Sequence, residues 1–273
     1  MKYSESHSEF SPPGLFKVAK AVGWVTFLDV IRDKILYNGA LCSLLLLGVG
    51  ILASRLAVIQ PERVVLDFGL SALMLSCTAV AILIGSSVMS KEFERRTLYV
   101  ALCHPITRGQ FVFGKFCGLA LVLLSNWLLV SISYLFLLFF STPHFSQVFS
   151  MALGIAVLFT FVQSLVVGSL AILFSVFSTT SLSVIFSIGL YLVGNNISQI
   201  KWVASHSKSP LQQQFMQVVA SIFPNFEYFN LGLKTTYGLP VTGDFICLSL
   251  LYGLFIMTLS LSLAGVLIQG REV

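Results

Sequence analysis

Residues 116–200, FCGLALVLLSNWLLVSISYLFLLFFSTPHFSQVFSMALGIAVLFTFVQSLVVGSLAILFSVFSTTSLSVIFSIGLYLVGNNISQI, hold no Asp, Glu, Lys or Arg over 85 positions. As one helix the run would measure about 128 Å, whereas the roughly 30 Å hydrocarbon core of a bilayer is crossed by about 20 apolar residues. It therefore holds several crossings. The polar clusters Ser141-Thr142-Pro143-His144 and Ser178-Thr179-Thr180-Ser181 divide it into three. Shorter charge-free runs at 35–54, 68–90 and 245–270 take one crossing each. The expectation is an all-α polytopic membrane protein of one domain, 1–273, with six transmembrane helices at 35–54, 68–89, 112–141, 148–177, 181–200 and 245–268.

Composition agrees with that reading. Hydrophobic residues make up 56% of the chain, charged residues only 10%, and the mean hydropathy is +0.92. Soluble domains carry about 25% charged residues, so a water-soluble globule is excluded. Six crossings put both termini on one side. Lys2, Lys17, Lys20, Arg32, Lys34, Lys91, Arg95, Arg96, Arg108, Lys115 and Arg271 fall on that side, against Arg55, Arg63, Lys201, Lys208 and Lys234 on the other. The positive-inside rule then places the N and C termini in the cytoplasm. A pI near 9.0 follows from topology, and no basic patch interleaved with aromatics points to nucleic acid.

The polar segment before the first span lacks a small-residue cleavage pattern, so it reads as retained rather than as a secretory signal. Within residues 15–34, Phe16, Trp24, Phe27, Leu28 and Ile31 recur at helical spacing, with Lys17, Lys20, Asp29, Arg32 and Asp33 largely elsewhere. That pattern predicts an interfacial helix in the headgroup plane, in contact with membrane lipids. A simple cytoplasmic extension of the first span is the other reading.

Catalytic and metal chemistry find little support. Cys42, Cys77, Cys103, Cys117 and Cys247 form no CxxC pair, and His7, His104, His144 and His206 are scattered over both sides, so neither a disulfide framework nor a metal site is expected. Gly109-Gln110-Phe111-Val112-Phe113-Gly114-Lys115-Phe116 imitates the phosphate-binding P-loop. However, Phe116 stands where a magnesium-binding hydroxyl is required, and the segment leads into a membrane helix. Gly114 and Gly118 form a GxxxG that allows close helix packing. No ionisable residue is expected in the middle of a span, against the habit of proton- and ion-coupled transporters. Asn126 and Gln163 are the polar residues at membrane depth. They suit either interhelical hydrogen bonds or the lining of a translocation path. Asn195 to Gln199 are expected in the outer headgroups.

The densest polar cluster is cytoplasmic, residues 90–108, SKEFERRTLYVALCHPITR. Glu92 precedes Arg96 by four residues, a favourable helix pair. Phe93, Thr97 and Val100 or Ala101 make a narrow apolar stripe, and Pro105 ends the helix. A short charged helix joined stiffly to two spans suits docking to a partner and transmission of its motion. The bland reading is a solvated loop that sets topology and binds lipid phosphates.

Lys91-Glu92-Phe93-Glu94-Arg95-Arg96-Thr97, then His104-Pro105-Ile106-Thr107-Arg108, then Phe111-Val112-Phe113-Gly114-Lys115 resemble the cytoplasmic segment of ABC transporter permeases of the ABC-2 type. In that family an acidic residue before a Thr-Leu or Thr-Ile pair is followed by a Pro-Ile-Ser-Arg-like turn and an aromatic-rich Gly-Lys entering the third span. Here Thr107 replaces the serine and keeps the hydroxyl. The N-terminal segment, Phe223-Pro224-Asn225-Phe226-Glu227-Tyr228-Phe229 and the tail Gly270-Arg271-Glu272-Val273 are also similar. The nearest branch is that of permeases linked to copper-enzyme maturation.

The resemblance implies a permease subunit that drives export or movement of a substrate across the bacterial inner membrane. It would work as a homodimer, or with a close paralogue, on separate ABC ATPase subunits. The chain would not be an enzyme and would hold no cofactor, with ATP and Mg bound in the partner. Its coupling element maps onto Glu92, Glu94, Arg95, Arg96, Thr97, Pro105 and Arg108. Of these, Glu92, Glu94, Arg95 and Arg96 would contact the ATPase or pin the helix, and Pro105 would set its exit angle. Lys115 and Arg108 would anchor the third span at the headgroups. In the external segment 201–244, Leu211, Phe215, Val218, Val219 and Ile222 mark an amphipathic helix broken by Pro224, either a lid or external-partner site or a cover for the span ends. A non-transporting accessory membrane protein, or a stand-alone channel, is the alternative, but neither needs a coupling segment.

Overall fold

The computed structural model describes residues 15–32, 41, 44–45, 48–52, 61–94, 107–141, 151–207, 209–236 and 241–270, and among them every regular element is helical. In chain order these are α1 (Leu15–Arg32), α2 (Pro61–Glu94), α3 (Arg108–Ser141), α4 (Met151–Phe177), α5 (Thr180–Gly194), α6 (Ile197–His206), α7 (Pro210–Ile222), a 3-10 turn (Phe226–Phe229), α8 (Gly232–Thr236) and α9 (Gly243–Gly270). Four of them, α2, α3, α4 and α9, are long and apolar enough to cross a membrane. The α5–α6 pair makes a fifth if counted as one span bent by 61°. Most of the expected first span, 35–54, lies outside the described residues. Its described residues 41, 44–45 and 48–52 are helical, and a Cβ on Gly50 would lie 3.1 Å from that of Phe68 on α2.

The helices overrun the hydrophobic windows that locate them. The second span, expected at 68–89, sits within α2, which reaches Pro61 and Glu94, because backbone bonding continues past the hydrocarbon edge until something ends it. The third span begins at Arg108 rather than 112. Thr107 and Gln110 form a reciprocal capping box there: the Gln110 N–H donates to Thr107 Oγ1 at 3.3 Å, and the Thr107 N–H donates to Gln110 Oε1 at 3.1 Å.

At the centre, α4 packs most extensively on α2 and also on α3, α5 and α9. Water cannot drive helices together inside lipid, so close van der Waals packing and internal hydrogen bonds must hold them. A Cβ on Gly85 of α2 would lie 2.9 Å from that of Ala171 and 3.1 Å from the Gly168 carbonyl oxygen of α4, a contact that only glycine allows. Ser164, Ser169 and Ser175 donate to carbonyls of their own helix at 2.7 Å. Ser260 of α9 donates to Ser169 Oγ at 2.9 Å, and Ser90 of α2 reaches the Ser175 carbonyl at 3.2 Å.

The expected straight span 181–200 is instead broken at Asn195-Asn196. The Asn195 and Asn196 N–H groups turn back to Tyr191 and Val193 carbonyls at 3.0 and 3.1 Å, and Asn196 Nδ2 donates to the Leu192 carbonyl at 2.8 Å. These local bonds close α5 and compete with its continuation. The segment 223–229 fills the break. Phe226 and Phe229 are fully buried, and a Cβ on Gly194 would fall 2.5 Å from the Phe226 ring. Glu227 accepts from the Ser198 N–H at 2.7 Å and from the Ser198 hydroxyl, which puts a carboxylate on the first turn of α6, where the helix dipole favours it. Asn225 Oδ1 caps the 3-10 turn by accepting from the Glu227 N–H at 2.9 Å, and the Asn225 N–H donates to Tyr252 of α9 at 2.8 Å. Beyond, α7 packs on α6 while Leu211, Phe215, Val218 and Ile222 stay exposed, so its apolar stripe does not cover the span ends within one copy.

Candidate functional site

The end of α2 and the start of α3 are the two roots of the segment 90–108. Lys91 to Glu94 form the last turn of α2, continuous with the span. Arg95, Arg96, Thr97 and Pro105 lie outside the described residues. Glu92, Arg108 and Lys115 are described, and each is tied into the bundle.

Lys115 sits seven residues into α3, about 10 Å along its axis. Its ammonium is 2.6 Å from Glu92 Oε1 and 5.5 Å from the centre of the Phe111 ring, with side-chain exposures of 8% for the lysine and 23% for the glutamate. The expected headgroup anchor is therefore turned inward, because its counter-charge lies on the neighbouring helix. An ion pair this enclosed holds only while both partners are present, since either charge alone would be poorly solvated. Arg108 bonds to a neighbouring helix as well. Its Nη1 donates to the Ile268 carbonyl at 2.8 Å and so caps the last turn of α9.

The N-terminal helix joins the same rim through small residues. Ala19, Gly23, Thr26 and Val30, at spacings of four, three and four, are the buried face of α1 against α3. A Cβ on Gly118 would lie 2.6 Å from that of Thr26, and one on Gly114 would lie 2.8 Å from that of Val22, so the GxxxG is the seat of α1. Of the bulky face read from the sequence, Trp24 and Leu28 are exposed, and Phe27 and Ile31 are half-buried. The small face packs because it alone permits backbone contact. The imitation P-loop is the start of α3: residues 109–116 are helical, so no loop of backbone N–H groups is there to cradle phosphate.

Asn126 and Gln163 lie in the interior, 1% and 0% exposed. Asn126 Nδ2 faces Ser76 Oγ of α2 at 3.4 Å and Cys77 Sγ at 3.8 Å, while Gln163 Nε2 donates to Asn195 Oδ1 at 3.4 Å. They tie α3 to α2 and α4 to the end of α5. Asn195 is thus half-buried and turned to α4, where it closes α5. Trp127 Nε1 adds a bond to the Val157 carbonyl at 2.9 Å.

Around the roots of 90–108, then, α1 is seated on α3 by glycines, α2 is tied to α3 by a buried ion pair, and α9 is capped by the first residue of α3. These contacts join four helices, α1, α2, α3 and α9, at one rim. The capping box Thr107-x-x-Gln110 and the counter-charge of Lys115 are the parts that sequence reasoning missed. The first had a readable signal three residues apart, and the second did not.

A search among curated proteins finds no match to the chain. A family model described as ABC-2 family transporter protein matches residues 27–268, which takes in every described helix from the second half of α1 almost to the end of α9. With that match over nearly its whole length, the chain belongs to the ABC-2 family of transporter membrane proteins and is a multi-pass permease component.

Proposed function

We propose that this permease is driven by a separate ABC ATPase through residues 90–108, and that the ion pair Glu92–Lys115 with the Arg108 cap passes the motion into the bundle. The single observation that supports the reading is the rooting of the two helices that flank that segment: Glu92 at the end of α2 and Arg108 at the start of α3 are both bonded to groups of the bundle, so motion that reaches either helix end is passed to its neighbours. Glu94, Arg95, Arg96 and Thr97 supply the docking surface, and Pro105 sets the return angle into α3. ATP and Mg belong to the partner subunit.

The full assembly has two permease copies, identical or closely paralogous, each with six spans including one at 35–54, in the bacterial inner membrane with cytoplasmic termini. Export or transmembrane movement of a substrate is the work done, and the copper-enzyme-maturation branch is its nearest resemblance. Asn126 and Gln163 act as interhelical ties, and a path between copies would leave them untouched. The exposed stripe of α7 in 201–244 is the surface offered to an external partner. The test is charge reversal of Arg95 and Arg96 together. The prediction is loss of ATPase association with the chain still in the membrane, and unchanged association and activity would contradict the assignment.

A further inference from the structure

We propose that the apolar stripe of α7 pairs with the same stripe on a second copy of this chain. The inference rests on the two-copy reading above and names the partner of that stripe.

Leu211, Phe215, Val218 and Ile222 follow one another along α7 at spacings of four, three and four, and they are 78%, 67%, 54% and 73% exposed. That spacing is the seam by which one helix meets another, with two apolar positions in every heptad. At 3.6 residues per turn the exposed stripe covers an arc of about 60°, narrower than the face with which a helix covers a core. The rest of the apolar surface is taken up within the copy. Ala220 is buried, Gln213, Met216 and Val219 are half-buried, and α7 packs on α6.

The chemistry of α7 selects a second copy as the occupant. Residues 210–222 hold no Asp, Glu, Lys or Arg, so two copies related by a two-fold axis bring no like charges together. Gln214 and Gln217 are exposed beside the stripe, and each amide offers both donors and an acceptor, so the polar flank is complementary to itself. A helix laid in a lipid surface instead carries Lys or Arg on its polar face for the headgroups, and α7 has neither. The helix is also held ready on its base. The Ser207 hydroxyl donates to Gln212 Oε1 at 2.9 Å, and the first turn of α6 is bonded to Glu227, so little ordering remains to be done on pairing.

Four such side chains offer on the order of 400 Å² per copy, about half of the roughly 800 Å² that each partner gives to a stable interface. The seam therefore adds to contacts between the spans rather than replacing them. Once the spans hold two copies together, pairing of α7 is intramolecular and a short seam suffices.

The test uses the full chain, free of other cysteines, in native membranes. Gln214→Cys, at the edge of the seam, is treated with a flexible bismaleimide. The expected result is a crosslinked pair of chains whose yield persists when the membranes are diluted with added lipid. Adding Leu211→Gln/Ile222→Gln is expected to lower the yield about tenfold or more while N-ethylmaleimide still labels the cysteine, and Leu211→Ile/Ile222→Leu is expected to keep it. Native mass spectrometry of the purified chain counts the copies in parallel. Two copies without the crosslink overturn the pairing of α7 and leave the two-copy reading standing, whereas a single copy overturns both. A crosslink to a different protein, a yield that falls on dilution with lipid, or a yield unmoved by Leu211→Gln/Ile222→Gln also overturns the pairing.

Discussion

At Lys115 an ammonium inside a membrane helix finds its counter-charge on Glu92, and the pair sets the geometry of the whole rim. Removing one partner of a buried pair costs about 3–5 kcal/mol when both are fully enclosed. With Glu92 23% exposed, solvent screening lowers the expected loss for Lys115→Met to about 1–3 kcal/mol. Thermal melting of the purified variant checks that figure. The exchange Glu92→Lys with Lys115→Glu is expected to recover much of the loss, and no recovery would show that the two residues do not act as a pair. Lys115 was legible as a charge at the mouth of a span. Its inward turn was not, because the partner lies 23 residues away across a reversal of the chain. Gly114 and Gly118 were legible as small residues at helical spacing, but which helix they admit depends on the tertiary fold.

Helix α1 rests on α3 by contacts too close for any side chain larger than those present. Gly118→Leu would drive carbon atoms into Thr26 and the Gly23 carbonyl oxygen, and overpacking of this kind costs about 1–3 kcal/mol. The expected outcome is faster amide exchange over 15–32 while α4 stays protected, and unchanged exchange in α1 would contradict the seam. At the break between α5 and α6, Glu227→Gln keeps the shape of the bond to Ser198 but removes its charge, with an expected loss of about 1 kcal/mol and faster exchange at the start of α6. Four spans, α2, α3, α4 and α9, were legible as charge-free apolar stretches, since lipid solvation tolerates little else. Their ends were less so, because α2 continues for more than a turn on either side of its apolar stretch. The break at Asn195-Asn196 had a local signal in Gly194-Asn195-Asn196, a sequence suited to ending a helix. The apolar residues on both sides of it hid that signal from a hydropathy reading.

For the molecule as a whole, the asymmetry of Lys and Arg predicts one orientation, with 90–108 in the cytoplasm. In a cysteine-free background, Ser4→Cys and Val100→Cys are expected to react with an impermeant thiol reagent only from the cytoplasmic side, and Ser209→Cys only from outside. The reverse pattern would invert the topology and place 90–108 beyond the reach of a cytoplasmic ATPase. The central claim is that the chain works as the membrane half of an ATP-driven machine. Purification of the tagged protein from its native membranes in mild detergent, with identification of what accompanies it and assay of ATP hydrolysis, tests that claim most directly. A stoichiometric ABC ATPase that hydrolyses ATP in the complex is the predicted result. A folded chain that emerges with no ATPase and no ATP hydrolysis would contradict the account.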